Sequence, residues 1–524
     1  MVRIPGCSLV ALLLIAVGIT DRAGAVPPPG PPSPSSWPVL ANQAVDGPRK
    51  FSKSHRGTFG GLKLKYHSTV AETIVQGPDG KPAASAFTLA LTADAASPAT
   101  RPVLFIYNGG PGGASSTLFF GALGPYRIEP FTDEAMADPA VRYGPNPLTI
   151  LDAADLVFID PPDTGFSRRL PDTPPRLFLS IDGDSFAVGQ IIQHWLSANG
   201  RLSSPVYLVG ESYGTLRNVA LARDLGKSST PIQLRGLVMI SQAIRYNGPA
   251  ELMQPRGPDL MRAIVRLPDA TALAWYHGKI DNQHQTVGEA IEKARIFART
   301  GYASALLLGN KLGSEERGRV AGRLAEFSGI PAKYFLEHDL RVPNLRKELL
   351  KAEGRALAQF DGRQTEPLEG LPEDKDRDWD KAFSGLDAAS KNVFEREFGV
   401  PDLGRYISVV HDPYGYEEGW TYVVPPAPTL DVVLTEVMRA NTALRLLVPQ
   451  GIFDTTSSMG STVSMFQQLN IPADRVAVTY YAGGHMVYAD PEAFRKFMSD
   501  LRIFVSGGTP SDAFPSVIPH RPTN

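Results

Sequence analysis

The stretch VYLVGESYG, Val206 to Gly214, places Ser212 between small residues two positions to either side, Gly210 and Gly214. An apolar strand precedes this G-x-S-x-G and a helix-like stretch, Leu216 to Leu225, follows it. That context permits the strained strand-to-helix turn that lifts a serine hydroxyl above the edge of a sheet. A serine hydroxyl is a poor nucleophile until a base accepts its proton, and that base is usually a histidine oriented by a carboxylate. In this architecture the chain order is Ser, then Asp or Glu, then His. After Ser212 come His277, His284, His338, His411, His485 and His520. The first four fall in a helical insertion and His520 in a Pro-rich tail, whereas His485 follows the apolar run VAVTYY in a glycine turn. Asp454 likewise follows LRLLVP in Gly451-Ile452-Phe453-Asp454. Both positions belong to loops at carboxyl ends of strands, where the sites of open α/β sheets collect. The expected triad is Ser212, Asp454 and His485. His194, inside QIIQHWL, reads as a packed or surface residue.

A second element is Asn108-Gly109-Gly110-Pro111-Gly112-Gly113, directly after the strand VLFIY. Glycines there let backbone approach a substrate and aim amides at a developing oxyanion. The loop lacks the G-K-[ST] ending of a P-loop and does not match G-x-G-x-x-G, so phosphate binding is not expected. The run Asp374, Asp376, Asp378 and Asp380 has Trp379 at its sixth position and Gly385 at its twelfth, where a calcium loop needs Gly and Glu. It reads as a solvated acidic loop. With no H-E-x-x-H or cysteine metal motif, neither a metal nor a cofactor is expected.

The elements that must position these residues follow from periodicity. From Gly57 to Thr92 the segments LKLKY, TIV and FTLALT alternate and are divided by Gly77-Pro78-Asp79-Gly80, which predicts antiparallel strands. Short continuous apolar runs follow: VLFIY (103–107), LVFID (156–160), VYLVG (206–210), LVMI (237–240), LRLLVP (444–449) and VAVTYY (476–481). Runs of that kind predict strands buried on both faces of a mostly parallel sheet. Between about 245 and 430 the pattern turns helical. A capping box at Thr286 to Glu289 opens one helix, and Ser314 with Glu315 and Glu316 opens another. The fold class is therefore α/β, a mostly parallel sheet interrupted by a mainly helical cap. Expected boundaries are a core first part at 51–244, the cap at 245–430, a core second part at 431–510 and a tail at 511–524.

Composition is that of a globular chain, with 43% apolar and 20% charged residues. A net charge of -2 gives no overall field for nucleic acid or an anionic membrane. Residues 1–25 combine Arg3, an apolar stretch from Cys7 to Ile19 and the small residues Ala23-Gly24-Ala25, which predicts a secretory signal. The apolar stretch is shorter than the roughly 20 residues a spanning helix needs. A Pro- and Ser-rich tether is expected over 26–50. The predicted product is an exported protein, periplasmic or secreted, without a membrane span. Cys7 is the single cysteine, so that product would contain none.

These pieces resemble the serine carboxypeptidase family of α/β hydrolases. The resemblance rests on NGGPG (108–112), LVFIDPPDTGFS (156–167), GESYG (210–214), the Asp454 loop and GGHM (483–486). It implies that Ser212 attacks the scissile carbonyl, His485 shuttles the proton and Asp454 orients the imidazole. It further implies an oxyanion hole from the amides of Gly110 and Tyr213, and recognition of a free substrate carboxylate by Asn108 and Glu211. Glu211 can donate to a carboxylate only while protonated, which would favour peptide cleavage at acidic pH. The chain departs from the family where a second glutamate usually accompanies the first: that position is Ala122. A carboxylate neighbour that would raise the pKa of Glu211 is thereby lost. Gly113 stands where a cysteine is common, and the family's disulfides are absent. The leading reading is an exported serine carboxypeptidase acting on peptides with a free C-terminus. An esterase or acyltransferase using the same triad is one alternative. A non-catalytic peptide-binding protein is another, although such a role does not need an intact triad.

Overall fold

The computed structural model describes residues 48–95, 97–244, 260–281, 283–371, 377–410, 420 and 429–516. Residues 1–47, where the signal and most of the tether are expected, lie outside these.

The strands are β1 (Lys50–Phe59), β2 (Leu62–Gln76), β3 (Pro82–Ala93), β4 (Val103–Tyr107), β5 (Asp155–Ile159), β6 (Pro205–Glu211), β7 (Gln233–Ile240), β8 (Arg445–Gly451) and β9 (Val476–Tyr481). They lie side by side in the order β1-β2-β3-β5-β4-β6-β7-β8-β9. β1 to β3 form an antiparallel meander, and β3 runs antiparallel to β5. From β5 to β9 every neighbouring pair is parallel. The alternating segment and the continuous runs thus become the two kinds of strand their patterns predict, and the arrangement is that of an α/β hydrolase.

Burial explains the second pattern. In β4, Leu104 and Ile106 enter one hydrophobic core while Val103, Phe105 and Tyr107 enter the other on the opposite face. β5 divides in the same way, Leu156 and Phe158 against Val157 and Ile159. Successive side chains of a strand point to opposite faces, so burial of both faces leaves no polar position in the run. Truncating such a residue, for example Leu104→Ala, costs about 2–5 kcal/mol in side chains of this type.

Helices cover both faces. On one side lie α1 (Ile181–Ala198), α2 (Tyr213–Lys227) and α7 (Leu430–Ala440), whose buried residues share a core with Val103 and Phe105. Ser180 caps α1 by accepting from the Gly183 amide, with Asp182 and Asp184 in the first turn against the helix dipole. On the other side α9 (Pro491–Val505) begins with Pro491 at its first position and Asp490 accepting from the Glu492 and Ala493 amides.

Within the interval 245–430 the helices divide between two cores. α3 (Leu260–Tyr276), α4 (Val287–Phe297) and α5 (Ser314–Ser328) build a separate cluster around Leu267, Ile291, Leu324 and Phe335. The capping box of α4 is present, with Thr286 and Glu289 bonding reciprocally. By contrast α6 (Ser384–Asn392), with Phe394, Phe398 and Tyr406, joins the core beneath β4 and β5. Isolated bridges Gly113↔Val409 and Gly165↔Ile407 fasten that later segment to the sheet's carboxyl edge. α8 (Met459–Gln468) follows the Asp454 loop and packs against α3.

Candidate active site

β6 lies between β4 and β7, with Gly210 opposite Tyr107 and Glu211 opposite Ile240. At its end Ser212 takes φ 55° and ψ -123°, a sparsely populated conformation for a residue with a side chain. The Ser212 amide donates to the Ile240 carbonyl at 2.9 Å. Its own carbonyl accepts from the amide and the hydroxyl of Thr215, at 2.9 and 2.7 Å. The turn leaves no room for larger neighbours: a Cβ at Gly210 would lie 2.3 Å from the Gly214 carbonyl oxygen. One at Gly109 would lie 2.5 Å from the Glu211 carbonyl oxygen and 2.9 Å from the Ser212 Cβ. The glycine loop after β4 is therefore pressed against the serine turn, bringing Asn108, Gly110, Glu211, Ser212 and Tyr213 into one neighbourhood.

Asp454 and His485 occupy the loops after β8 and β9, as expected. His485 Nδ1 and Asp454 Oδ2 are 2.9 Å apart, both side chains almost fully buried. Asp454 Oδ1 accepts from the Thr456 and Ser457 amides at 2.7 and 2.8 Å. Burial by itself lowers the pKa of His485, but the charge and hydrogen bond of Asp454, with Glu211 adding, reverse this and leave it above the ordinary value. The residue after β7 ties the two loops to the serine turn. Ser241 donates from Oγ to the His485 carbonyl at 2.6 Å, its amide bonds the Pro449 carbonyl at 2.9 Å, and its carbonyl accepts from Ser457 Oγ at 3.0 Å.

Glu211 is buried at 3% exposure. Asn108 Nδ2 donates to its Oε1 at 2.9 Å, and Asn108 Oδ1 in turn accepts from the Leu118 amide. Desolvation raises the Glu211 pKa to about 7, against opposition from His485, Tyr488 and Asn108 and with Asp454 adding to the rise. The raised value expected of a glutamate pair is thus reached by burial, although Ala122 supplies no carboxylate. Beneath the site, Arg217 donates from Nε to Asp184 Oδ2 and from Nη1 to the Asn108 carbonyl, both at 2.7 Å. Tyr213 Oη donates to the same Asp184 oxygen at 3.0 Å.

Several neighbours were not foreseen. Phe360, in the cap interval, stacks on His485 with ring centroids 5.8 Å apart, and its carbonyl accepts from the His485 amide at 2.6 Å. No periodicity marks such a contact, which joins residues far apart in sequence. Ser241 and the Arg217–Asp184 pair were also missed. Tyr488, three residues beyond His485, acts on Glu211, and its position in the turn was the available signal. Elsewhere His277 donates from Nε2 to the Gly362 carbonyl at 2.7 Å. Asp378 caps a short helix, Trp379–Ala382, which contains Asp380, itself paired with Arg405 at 3.1 Å, so this end of the acidic run is helical rather than a loop; Asp374 and Asp376 lie outside the described residues. His411 and His520 lie outside them too. Among the described residues no helix is long and apolar enough to cross a membrane.

Residues 84–299 match the model of the serine carboxypeptidase family. A curated relative, serine carboxypeptidase-like 13 of Arabidopsis thaliana, is 27% identical over 146 residues, which are 27% of this chain and 32% of that protein. The chain thus spans about a third of the length of that relative. Among solved structures, a prohormone-processing carboxypeptidase of Saccharomyces cerevisiae superimposes with a TM-score of 0.51 at 14% identity, covering 84% of this chain and 91% of the other. That likeness establishes the fold. A thermophilic esterase of Thermogutta terrifontis matches more weakly, with a TM-score of 0.30 at 12% identity over 86% of this chain and 99% of the other. Over residues 84–299 this chain is similar in sequence to the serine carboxypeptidases.

Proposed function

We propose that this relative of the serine carboxypeptidases removes C-terminal residues from peptides through an acyl-enzyme. The observation that carries the reading is the buried Asp454–His485 hydrogen bond, tied through Ser241 to the sheet edge from which the positive-φ Ser212 projects. In the first half-reaction Ser212 Oγ attacks the scissile carbonyl carbon and His485 Nε2 takes the hydroxyl proton. Asp454 holds the Nδ1–H and stabilises the imidazolium. The carbonyl oxygen gains negative charge and is met by the amides of Gly110 and Tyr213. His485 then gives its proton to the departing amine as the C–N bond breaks. Water, activated by the same imidazole, cleaves the acyl ester and restores Ser212.

Asn108 and Glu211 recognise the terminal carboxylate of the substrate. A pKa of about 7 keeps Glu211 protonated in acidic to near-neutral solution, so its carboxyl can donate rather than repel. Neutral His485 is needed at the same time, and its own pKa is raised. Carboxylate-dependent cleavage therefore has a bell-shaped pH profile, whose limbs belong to the coupled pair rather than to either residue alone. The signal-like residues 1–25 support export, with the mature chain beginning after Ala25.

The test is an assay of an N-blocked dipeptide, its C-terminal amide and a simple ester from pH 4 to 8, with Ser212→Ala as control. Cleavage of the acid in clear preference to the amide, abolished by Ser212→Ala, is expected. Equal cleavage of acid and amide would sink the assignment, and ester turnover alone would mark an esterase.

A further inference from the structure

A cavity of about 550 Å³ lies between the cap and the turn that carries Asp454. That volume is typical of a small-molecule site. α3 lends it Arg262 and Arg266, and the segment ahead of β8's partner turn in the cap lends Arg341 and Arg346. Two carboxyl groups also line it, Asp269 and Asp454, and both are engaged. Asp454 is bound as described above. Asp269 accepts from Ser458 Oγ and, at 2.9 Å, from the Gly460 amide.

The charges in this cavity do not balance. Burial raises the pKa of Asp269 to about 6 against Ser458, Gly460 and Arg266, with Asp454 adding to the rise. In acidic solution the cavity therefore loses part of its negative charge and keeps all of its positive charge. Arg346 is held by Glu366 at 3.2 Å and by the Leu357 carbonyl at 3.1 Å. Arg341 makes no ion pair among the described residues, and its Nη1 is buried without a hydrogen-bond partner. A guanidinium cannot shed its charge, and a charge taken out of water is ordinarily met by a partner. The closed-off nitrogen is not itself a contact for a ligand. It marks Arg341, whose side chain borders the cavity, as a cation that the described residues do not neutralise.

We propose that this cavity binds a compact oxyanion, a phosphate or a polycarboxylate, between Arg341 and the guanidinium groups of α3. The planar fork of arginine fits both kinds of group. This binding does not rest on the carboxypeptidase reading, but its consequence for catalysis does. The charged groups around His485 are Asp454 from the loop after β8, Glu211 from the end of β6 and the Asp361–Arg363 pair beside Phe360. The cavity adds Asp269 and the four arginines around Asp454. An anion placed among those arginines offsets their field and favours the imidazolium, so the acidic limb of peptide cleavage moves to higher pH.

The test is calorimetric titration of the protein with inorganic phosphate and with citrate at low ionic strength, with sodium chloride at matched ionic strength as control. Saturable binding is expected, and the tighter of the two anions identifies the source of the oxyanion. Arg341→Gln should weaken binding roughly tenfold, the loss of a charge-assisted hydrogen bond. Arg262→Gln, a second variant in case the first folds poorly, should weaken it too. Arg319→Gln, outside the cavity and paired with Glu316, should bind as the parent does. Equal heats with chloride, or unchanged binding in both cavity variants, would overturn the proposal. In the dipeptide assay phosphate should move the acidic limb of the parent and leave that of Arg341→Gln in place. Binding with an unmoved limb would overturn the coupling alone. A parent without peptidase activity would remove the carboxypeptidase reading and leave the calorimetry to decide the site.

Discussion

His485 has two carboxyl neighbours in opposite condition. Asp454 is surrounded by donors: two backbone amides at Oδ1 and the imidazole at Oδ2. Glu211, equally buried, is met by two side chains, the Asn108 amide and the Tyr488 hydroxyl, and, among the described residues, by no backbone amide. At Glu211 desolvation outweighs its hydrogen bonds and favours the neutral carboxyl. On the proposed reading, the Asp454 flank, finished by backbone amides, orients the base, and the unfinished Glu211 flank, held by side chains alone, receives the substrate carboxylate.

Breaking the finished flank should have the largest effect. Asp454→Asn keeps the shape but presents the wrong partner to Nδ1, and kcat is expected to fall by about 10⁴ with stability nearly unchanged. Steady-state kinetics beside a denaturation curve checks both. Beneath the unfinished flank, Arg217→Met removes the cation from the buried Asp184 and the support of the Asn108 carbonyl. Leaving one charge of a buried pair costs about 3–5 kcal/mol, readable as a lower urea midpoint. A smaller effect tests the protonation of Glu211. Between pH 4.5 and 7 the unfolded chain releases this proton before the folded one does, so parental stability falls as pH rises. The contribution is about 3 kcal/mol, fully present below 4.5 and lost above 7. Glu211→Gln should lack it, and the stability difference between variant and parent at pH 4 and pH 8 isolates it from other titrations. The smallest expected change is Ser241→Ala, which removes one hydrogen bond to the His485 carbonyl and costs about 1 kcal/mol.

The two flanks were not equally readable in the sequence. Ser212, Asp454 and His485 each follow an apolar strand directly, so local pattern and chain order were enough to single them out as candidates. The Asn108–Glu211 pairing came with the family resemblance, but the cause of the raised Glu211 pKa did not, since burial depends on packing from three loops. Tyr488 stood in plain view, yet an aromatic residue after a glycine turn reads as core until its hydroxyl is found beside Glu211. The fold shows the same division. β4 to β9 announce themselves by continuous apolar runs, whereas β1 begins at Lys50, ahead of the alternation that starts at Gly57. It is an edge strand with Phe59 alone fully buried, so its residues had no hydrophobic period to display. Helical period likewise cannot say which core a helix serves. α6 looks like the cap helices before it and packs instead beneath the sheet.

The segment around Phe360 has a consequence for modularity. Residues 358–363 are stitched to both triad loops: Ala358 and Gln359 carbonyls accept from Thr455 and Thr456 hydroxyls, the Gly362 amide reaches Phe453, and Arg363 Nη1 reaches the Ala482 carbonyl at 2.7 Å. Together with the Phe360 grip on the His485 amide, these bonds bind the insertion into the Asp454 and His485 loops rather than leaving it an accessory laid over them. A shortened chain in which a linker replaced the interval between β7 and β8 would keep Ser212, Asp454 and His485 in its sequence. It would lose the frame that holds the last two in register.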